Sequence, residues 1–161
     1  QEHGKRPGTE NVAYIVGLGE ACALAATRLD SAMQQTKAVS DRLWQRLQED
    51  IPGIALVGDR ERRLPNTLNV LFPGVSGRKL LEACPEVCAS NGSACHADRE
   101  EASAILVACG IDPQHALGAV RLSVGRHTSL DDADMAAASL ASAWLHMTQS
   151  LQSDPVLVPV L

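Results

Sequence analysis

Aromatic residues are scarce in this chain: Tyr14, Trp44, Phe72 and Trp144 are the only four in 161 residues. So few rings leave no stacking platform for single-stranded nucleic acid. A clustered basic face is missing too. The formal net charge is -5, and the one basic run, Arg60 to Arg63, is interrupted by Glu61. That run reads as a solvated loop rather than a phosphate-binding patch. No uninterrupted apolar run approaches membrane-spanning length, and the apolar tail "PVLVPVL" is broken by two prolines. An export signal is not evident, and five cysteines form no regular framework. Both features fit reduced thiols and a cytoplasmic location.

What is present is a periodic pattern typical of a small α/β body. "QEHGKRPGT" is a polar loop, with Thr9 placed to cap the helix that follows and Glu10 in its first turn. Apolar residues then recur at helical spacing, from Val12, Ile15, Val16, Gly19, Cys22, Ala26, Leu29 and Met33 to Leu43, Leu47 and Ile51. The stripe predicts one very long helix, or two that bend near Thr36, stopped by Pro52 and Gly53. Strands are predicted over 54–58, 66–72 and 119–125, with a further candidate at "VCAS". Helices are predicted over 78–83 and 102–109, and a last one opens on a capping box of Ser129 and Asp132. Its stripe runs through Ala133, Ala137, Leu140, Trp144 and Leu151. The expected architecture is a small mixed β-sheet covered by helices on one side. Residues 1–52 form a loop and long connecting helix, 53–150 the small domain, and 151–161 an extended tail.

Several motifs have a plain and a chemical reading. "GLGEAC" lacks the third glycine of a dinucleotide turn and lies inside a helical pattern, so its small residues predict close helix packing. Cys84, Cys88, Cys95 and His96 are four potential zinc ligands, but their spacing is not that of a paired structural site. Cys88 in a strand, and Cys22 and Cys109 on helical stripes, read as small core hydrophobes. Cys95 differs. Ser90, Gly92, Ser93 and Ala94 leave it unshielded, and the charged run from Asp98 to Glu101 belongs in water. A thiol on such a loop suits reaction better than packing. Arg121, between apolar neighbours in a strand, needs an anion: a bound carboxylate or an internal salt bridge.

Four stretches, "QEHGKRPGTEN", "RLPNTLNVLFPGVSG", "ASNGSACHA" and "AVRLSVGRHTSLDDAD", together resemble the C-terminal part of the cysteine desulfurases and selenocysteine lyases. These are pyridoxal 5'-phosphate (PLP) enzymes of the class V aminotransferase group. The resemblance covers about residues 1–150, and "CHAD" and "VRLSVGR" look closer to the selenocysteine lyases. It implies the small C-terminal domain of a fold-type I PLP enzyme, a homodimer, and a possible sulfur-acceptor protein as partner. It also implies roles for particular residues. Cys95 would form the persulfide, Arg121 would anchor the carboxylate of L-cysteine or L-selenocysteine, and Thr9 would reach the cofactor phosphate of the neighbouring subunit. No role transfers to His96. The family's PLP-bearing lysine lies in a region upstream of the part matched, and Lys5, Lys37 and Lys79 stand in no such motif. The chain also begins with glutamine. The expectation is therefore a C-terminal portion that is inactive alone, with its first helix leaving apolar surface exposed. The alternatives are a non-catalytic sulfur carrier and a structural or zinc-binding module.

Overall fold

The computed structural model describes residues 2–5, 7–92 and 101–153. The first long element, α1 (Val12–Asp50), is a single continuous helix of 39 residues. Its cap is not Thr9. The Asn11 side chain accepts the Tyr14 amide at 3.2 Å, which leaves Glu10 outside the first turn. Asparagine at this position sits one residue before the helix, where its short carboxamide meets an orphan amide directly. At the other end Ile51 is extended and Gly53 takes a positive φ, so the chain reverses there as the sequence predicts.

Three short strands follow: β1 (Ala55–Leu56), β2 (Thr67–Leu71) and, much later, β3 (Ala119–Ser123). They form one sheet in the order β1-β2-β3, and both pairings are antiparallel. The expected mixed sheet is thus an antiparallel one, and the "VCAS" strand contracts to a single bridge between Ser90 and Arg121. Helix α2 (Gly77–Glu82) ends just before it, and Val87 turns back to donate its amide to the Cys84 carbonyl. Pro85 inside that turn has no amide for a ladder. Too few extended residues remain to pair further.

Strand alternation sorts the two faces. Leu68, Val70, Val120 and Leu122 point inward, where α1, α2 and α5 (Leu130–Ser153) cover them. Ser129 and Asp132 cap α5 reciprocally at 2.8 and 3.1 Å, as their spacing predicts. Along α5, Ala133, Ala137 and Leu140 are buried, while Trp144 is half-buried and donates its indole N–H to the Pro73 carbonyl at 2.9 Å. A polar clamp fixes α1 against α5. Arg42 grips Asp134 with two bonds of 2.8 and 3.0 Å, and Arg46 approaches the same carboxylate at 3.5 Å. The hydrogen bonds from Arg42 hold the Asp134 carboxyl below its ordinary range.

Among the described residues, the opposite face is covered at one end. There α3 (Ala104–Ala108) and α4 (Pro113–Ala116) bury Leu106 and Ala116 against Ala119, with Leu71, Ala102 and Ile111 around them. Helices are therefore not confined to one side of the sheet. The crossing between β2 and α4 is tight. A Cβ on Gly118 would stand 2.2 Å from the Phe72 carbonyl oxygen, in the turn where Gly118 O accepts the Phe72 amide at 2.9 Å. Gly118→Ala must push two backbone segments apart. Such overpacking costs about 1–3 kcal/mol, to be read as an earlier urea midpoint with an unchanged slope.

Among the described residues, nothing buries the first half of α1. Residues 12–31 are all exposed, and Val12, Ile15, Val16 and Leu18 are 57–65% accessible. Burial begins at Thr36, beside the bond from Gln35 to the Arg126 carbonyl, because α5 reaches only the later turns. Exposed apolar surface on this helix is what the family resemblance implies. Gly17 and Gly19, expected to permit close packing, have no neighbouring atom within 4 Å of where a Cβ would be. By length and composition α1 also includes a stretch apolar enough to cross a membrane. Alanines, glycines and Cys22 give that stretch its apolarity without an uninterrupted apolar run.

Candidate functional site

Arg121 stands on the open part of the outer face, one rung beyond the apolar end formed by Leu71 and Ala119. Its backbone is fixed on the β3 edge. Its amide donates to the Ser90 carbonyl at 2.7 Å, and its carbonyl accepts the Ser90 amide at 3.2 Å. The guanidinium is exposed, and among the described residues it has no ion pair and no hydrogen-bond partner. Of the two readings open in the sequence, the internal salt bridge finds no described acid. A rigid strand therefore presents a planar donor fork to solvent, a geometry suited to a carboxylate.

Directly across the sheet, Asn69 pairs with Arg121. Both backbone groups of Arg121 point to Ser90, and the Asn69 carbonyl accepts the Val57 amide on the far side. The two residues are thus a non-hydrogen-bonded pair, the kind whose side chains lie closest, with Cα atoms about 4.5 Å apart. No local motif in the sequence marks Asn69 as a site residue. The alternation in "NTLNVLF" puts it on the polar face, but only strand register places it opposite Arg121.

Cys95 and His96 lie outside the described residues, as do all positions from 93 to 100. Both flanks of that segment reach the Arg121 face. Ser90 is bonded to Arg121 itself, and its hydroxyl donates to the Gly92 carbonyl at 2.7 Å. Ala102, on the other flank, packs against the cluster containing Ala119.

The remaining thiols divide differently from the sequence expectation. Cys22, Cys88 and Cys109 are exposed, not core, because α1 lacks a partner along its first half and Cys88 follows a turn instead of filling a strand. Cys84 is buried at 1% accessibility. Burial, then the neighbouring Glu86 carboxylate, pushes its thiol up to about 11. A metal ligand must be a thiolate, so Cys84 is a poor member of a zinc set, and the described residues contain no cluster of three metal-ligating side chains. At pH 8 a thiol-specific reagent should label Cys22, Cys88 and Cys109 quickly and reach Cys84 only on unfolding, as mass mapping will read. Because the folded value is raised, Cys84 contributes stability below pH 9 that is lost as pH climbs toward 11.

Thr9 lies in the exposed loop before α1. Gln35, bonded to the turn after β3, is 26 residues further on, about 40 Å along a helix rising 1.5 Å per residue. One chain does not bring Thr9 and Arg121 together.

The model of the aminotransferase class-V family matches residues 1–135. The chain belongs to that family. It is 41% identical to the selenocysteine lyase of Xenopus laevis over 155 residues, covering 89% of this chain and 35% of the relative. A cysteine desulfurase of Nostoc sp. is 40% identical over 131 residues, covering 80% of this chain and 33% of the relative. Two solved NifS-like proteins share the fold. One superposes with a TM-score of 0.76 at 27% identity, covering 91% of this chain and 37% of that one; the other, from Rickettsia africae, gives 0.71 at 25%, covering 92% and 38%. The chain thus spans about a third of the length of these relatives.

Class V aminotransferases depend on PLP, which they hold through a lysine Schiff base. The described residues of this class V chain do not fit that group by themselves. Lys37 is exposed on α1 and paired with Asp41 at 2.5 Å, and Lys79 is exposed on α2. Both helices pack on the face of the sheet opposite Arg121. Lys5 lies with Thr9 in the loop before α1. No described lysine shares the Arg121 face.

Proposed function

We propose that this chain is the substrate-anchoring, C-terminal part of a PLP-dependent lyase that removes sulfur or selenium from L-cysteine or L-selenocysteine and leaves L-alanine. The observation that carries this is Arg121: an arginine with no described acidic partner, on a strand tied to the segment that contains Cys95. Arg121 binds the substrate carboxylate through its two-pronged donor face and turns the substrate's sulfur toward Cys95. Cys95 follows Gly92 by three positions in sequence. Its thiolate forms the new S–S or S–Se bond as the substrate's C–S or C–Se bond breaks. The carbon keeps the bonding pair and takes a proton, so thiol and L-cysteine become persulfide and L-alanine.

In this reading the lysine that carries PLP is not one of Lys5, Lys37 and Lys79, and the chain alone is inactive. Thr9 serves the cofactor phosphate of a neighbouring subunit, consistent with its distance from Arg121. The uncovered half of α1 supports burial against further protein in a homodimeric enzyme, and the four described cysteines, all unpaired, support a cytoplasmic one. A separate sulfur-acceptor protein would take the persulfide from Cys95. The lack of a lysine beside Arg121 favours a second reading, a sulfur carrier that receives persulfide made elsewhere.

One experiment separates them. With PLP and L-cysteine, the chain alone should release no alanine. Joined to the upstream two thirds of the Xenopus laevis selenocysteine lyase, it should release alanine from cysteine or selenocysteine and carry the persulfide on Cys95 by mass mapping. A chimera that binds PLP yet releases no alanine would sink the lyase reading. Alanine from the chain alone would show that one of its own lysines serves the cofactor.

A further inference from the structure

We infer that Asn69 is a second carboxylate-binding residue, acting beside Arg121 on the same substrate; this rests on the anchoring role proposed for Arg121. Three observations converge on it. Asn69 and Arg121 form a non-hydrogen-bonded cross-strand pair, which brings their side chains as close as an antiparallel sheet allows. Strand alternation puts both on the outer face, opposite the buried Leu68, Val70, Val120 and Leu122. Among the described residues neither the Asn69 carboxamide nor the Arg121 guanidinium has a hydrogen-bond partner.

That last point gives the pair its chemistry. A half-buried amide with unused donors costs free energy in the folded chain unless it meets water or a ligand. The next rung on one side is apolar, Leu71 opposite Ala119, and on the other side Thr67 and Ser123 sit 3.5 Å apart. Leu71 and Ala119 offer no hydrogen bond, and Thr67 and Ser123 are within reach of each other. Among the described residues of these paired strands, Asn69 and Arg121 therefore remain as the unspent donors on this face. A carboxylate oxygen gripped by the guanidinium can accept a second bond from the Asn69 N–H, giving it donors from two strands. Two donors on a fixed register also orient the α-carbon, since a carboxylate bound at one point can rotate and one bound from two sides cannot. Asn69 would thus discriminate an α-amino acid from an amine that lacks the carboxylate.

The test uses the chain itself, uniformly labelled with nitrogen-15 and kept reduced. L-cysteine is titrated while the Arg121 Nε–H and Asn69 side-chain NH2 signals are followed, with cysteamine as the probe lacking a carboxylate. Both signals should shift saturably with cysteine and not with cysteamine. Asn69→Ala should weaken binding about tenfold, the size of one hydrogen bond to a charged group. Asn69→Ser, which keeps a donor, should recover part of the loss. Arg121→Ala should abolish the response. Unchanged core methyl signals show that each variant folds. If Arg121→Ala abolishes binding while Asn69→Ala leaves it intact, Asn69 has no such role and the anchoring role of Arg121 stands. If cysteamine binds as well as cysteine, or wild type does not respond, the anchoring role falls and takes this inference with it.

Discussion

Arg121→Ala in the chimeric enzyme should lower kcat/KM for L-cysteine by roughly two to three orders of magnitude. Losing one partner of a hydrogen-bonded charge pair costs about 2–5 kcal/mol, and each 1.36 kcal/mol is tenfold. The loss should appear in both KM and kcat, because a carboxylate held loosely also leaves the sulfur badly aimed. Arg121→Lys should recover charge but not the fork, and so only part of the activity. Stability should hardly change: the side chain is exposed and has no hydrogen bond or ion pair among the described residues. Steady-state kinetics with a thermal melt of each variant will check both halves. A variant with normal kcat/KM would leave the carboxylate without its proposed anchor.

Leu47→Ala is the largest stability effect expected. Leu47 is completely buried on α1 within the core that joins α1, α5 and the inner face of the sheet. Deleting three carbons there costs roughly 3–4 kcal/mol, transfer and cavity together. Against a total of about 5–15 kcal/mol for a domain, that is a large share. Urea titration should show the midpoint falling with little change in slope. Leu18→Ala, on the same helix but 65% exposed, should change stability little. Equal losses at the two positions would mean that the first half of α1 is covered in solution.

That contrast marks the limit of reading a stripe from sequence. Val12, Ile15 and Met33 repeat at the same spacing as Leu43 and Leu47, yet only the later pair is buried. Periodicity says which face is apolar, not whether anything covers it. Cys22 is exposed for the same reason, and Cys109 is exposed at the C-terminal cap of α3. Thr9 gave way to Asn11 because either residue type caps a helix and the sequence does not show where the first turn closes.

The site divides in the same way. Local chemistry singled out Arg121 as a candidate anion binder and showed that Cys95 sits among small residues, that Ser129 and Asp132 open the last helix, and that Gly53 follows the end of the first. Each depends on neighbours within a few positions along the chain. Four ordered motifs also pointed to the family that residues 1–135 match. Tertiary structure decided the antiparallel order of the sheet, the pairing of Asn69 with Arg121 and the tie from Ser90 to the same residue. It also decided which side of the sheet the helices bearing Lys37 and Lys79 occupy. Asn69 and Arg121 are 52 positions apart in sequence. What joins them is strand register, fixed by which faces find a core, and no local pattern encodes that.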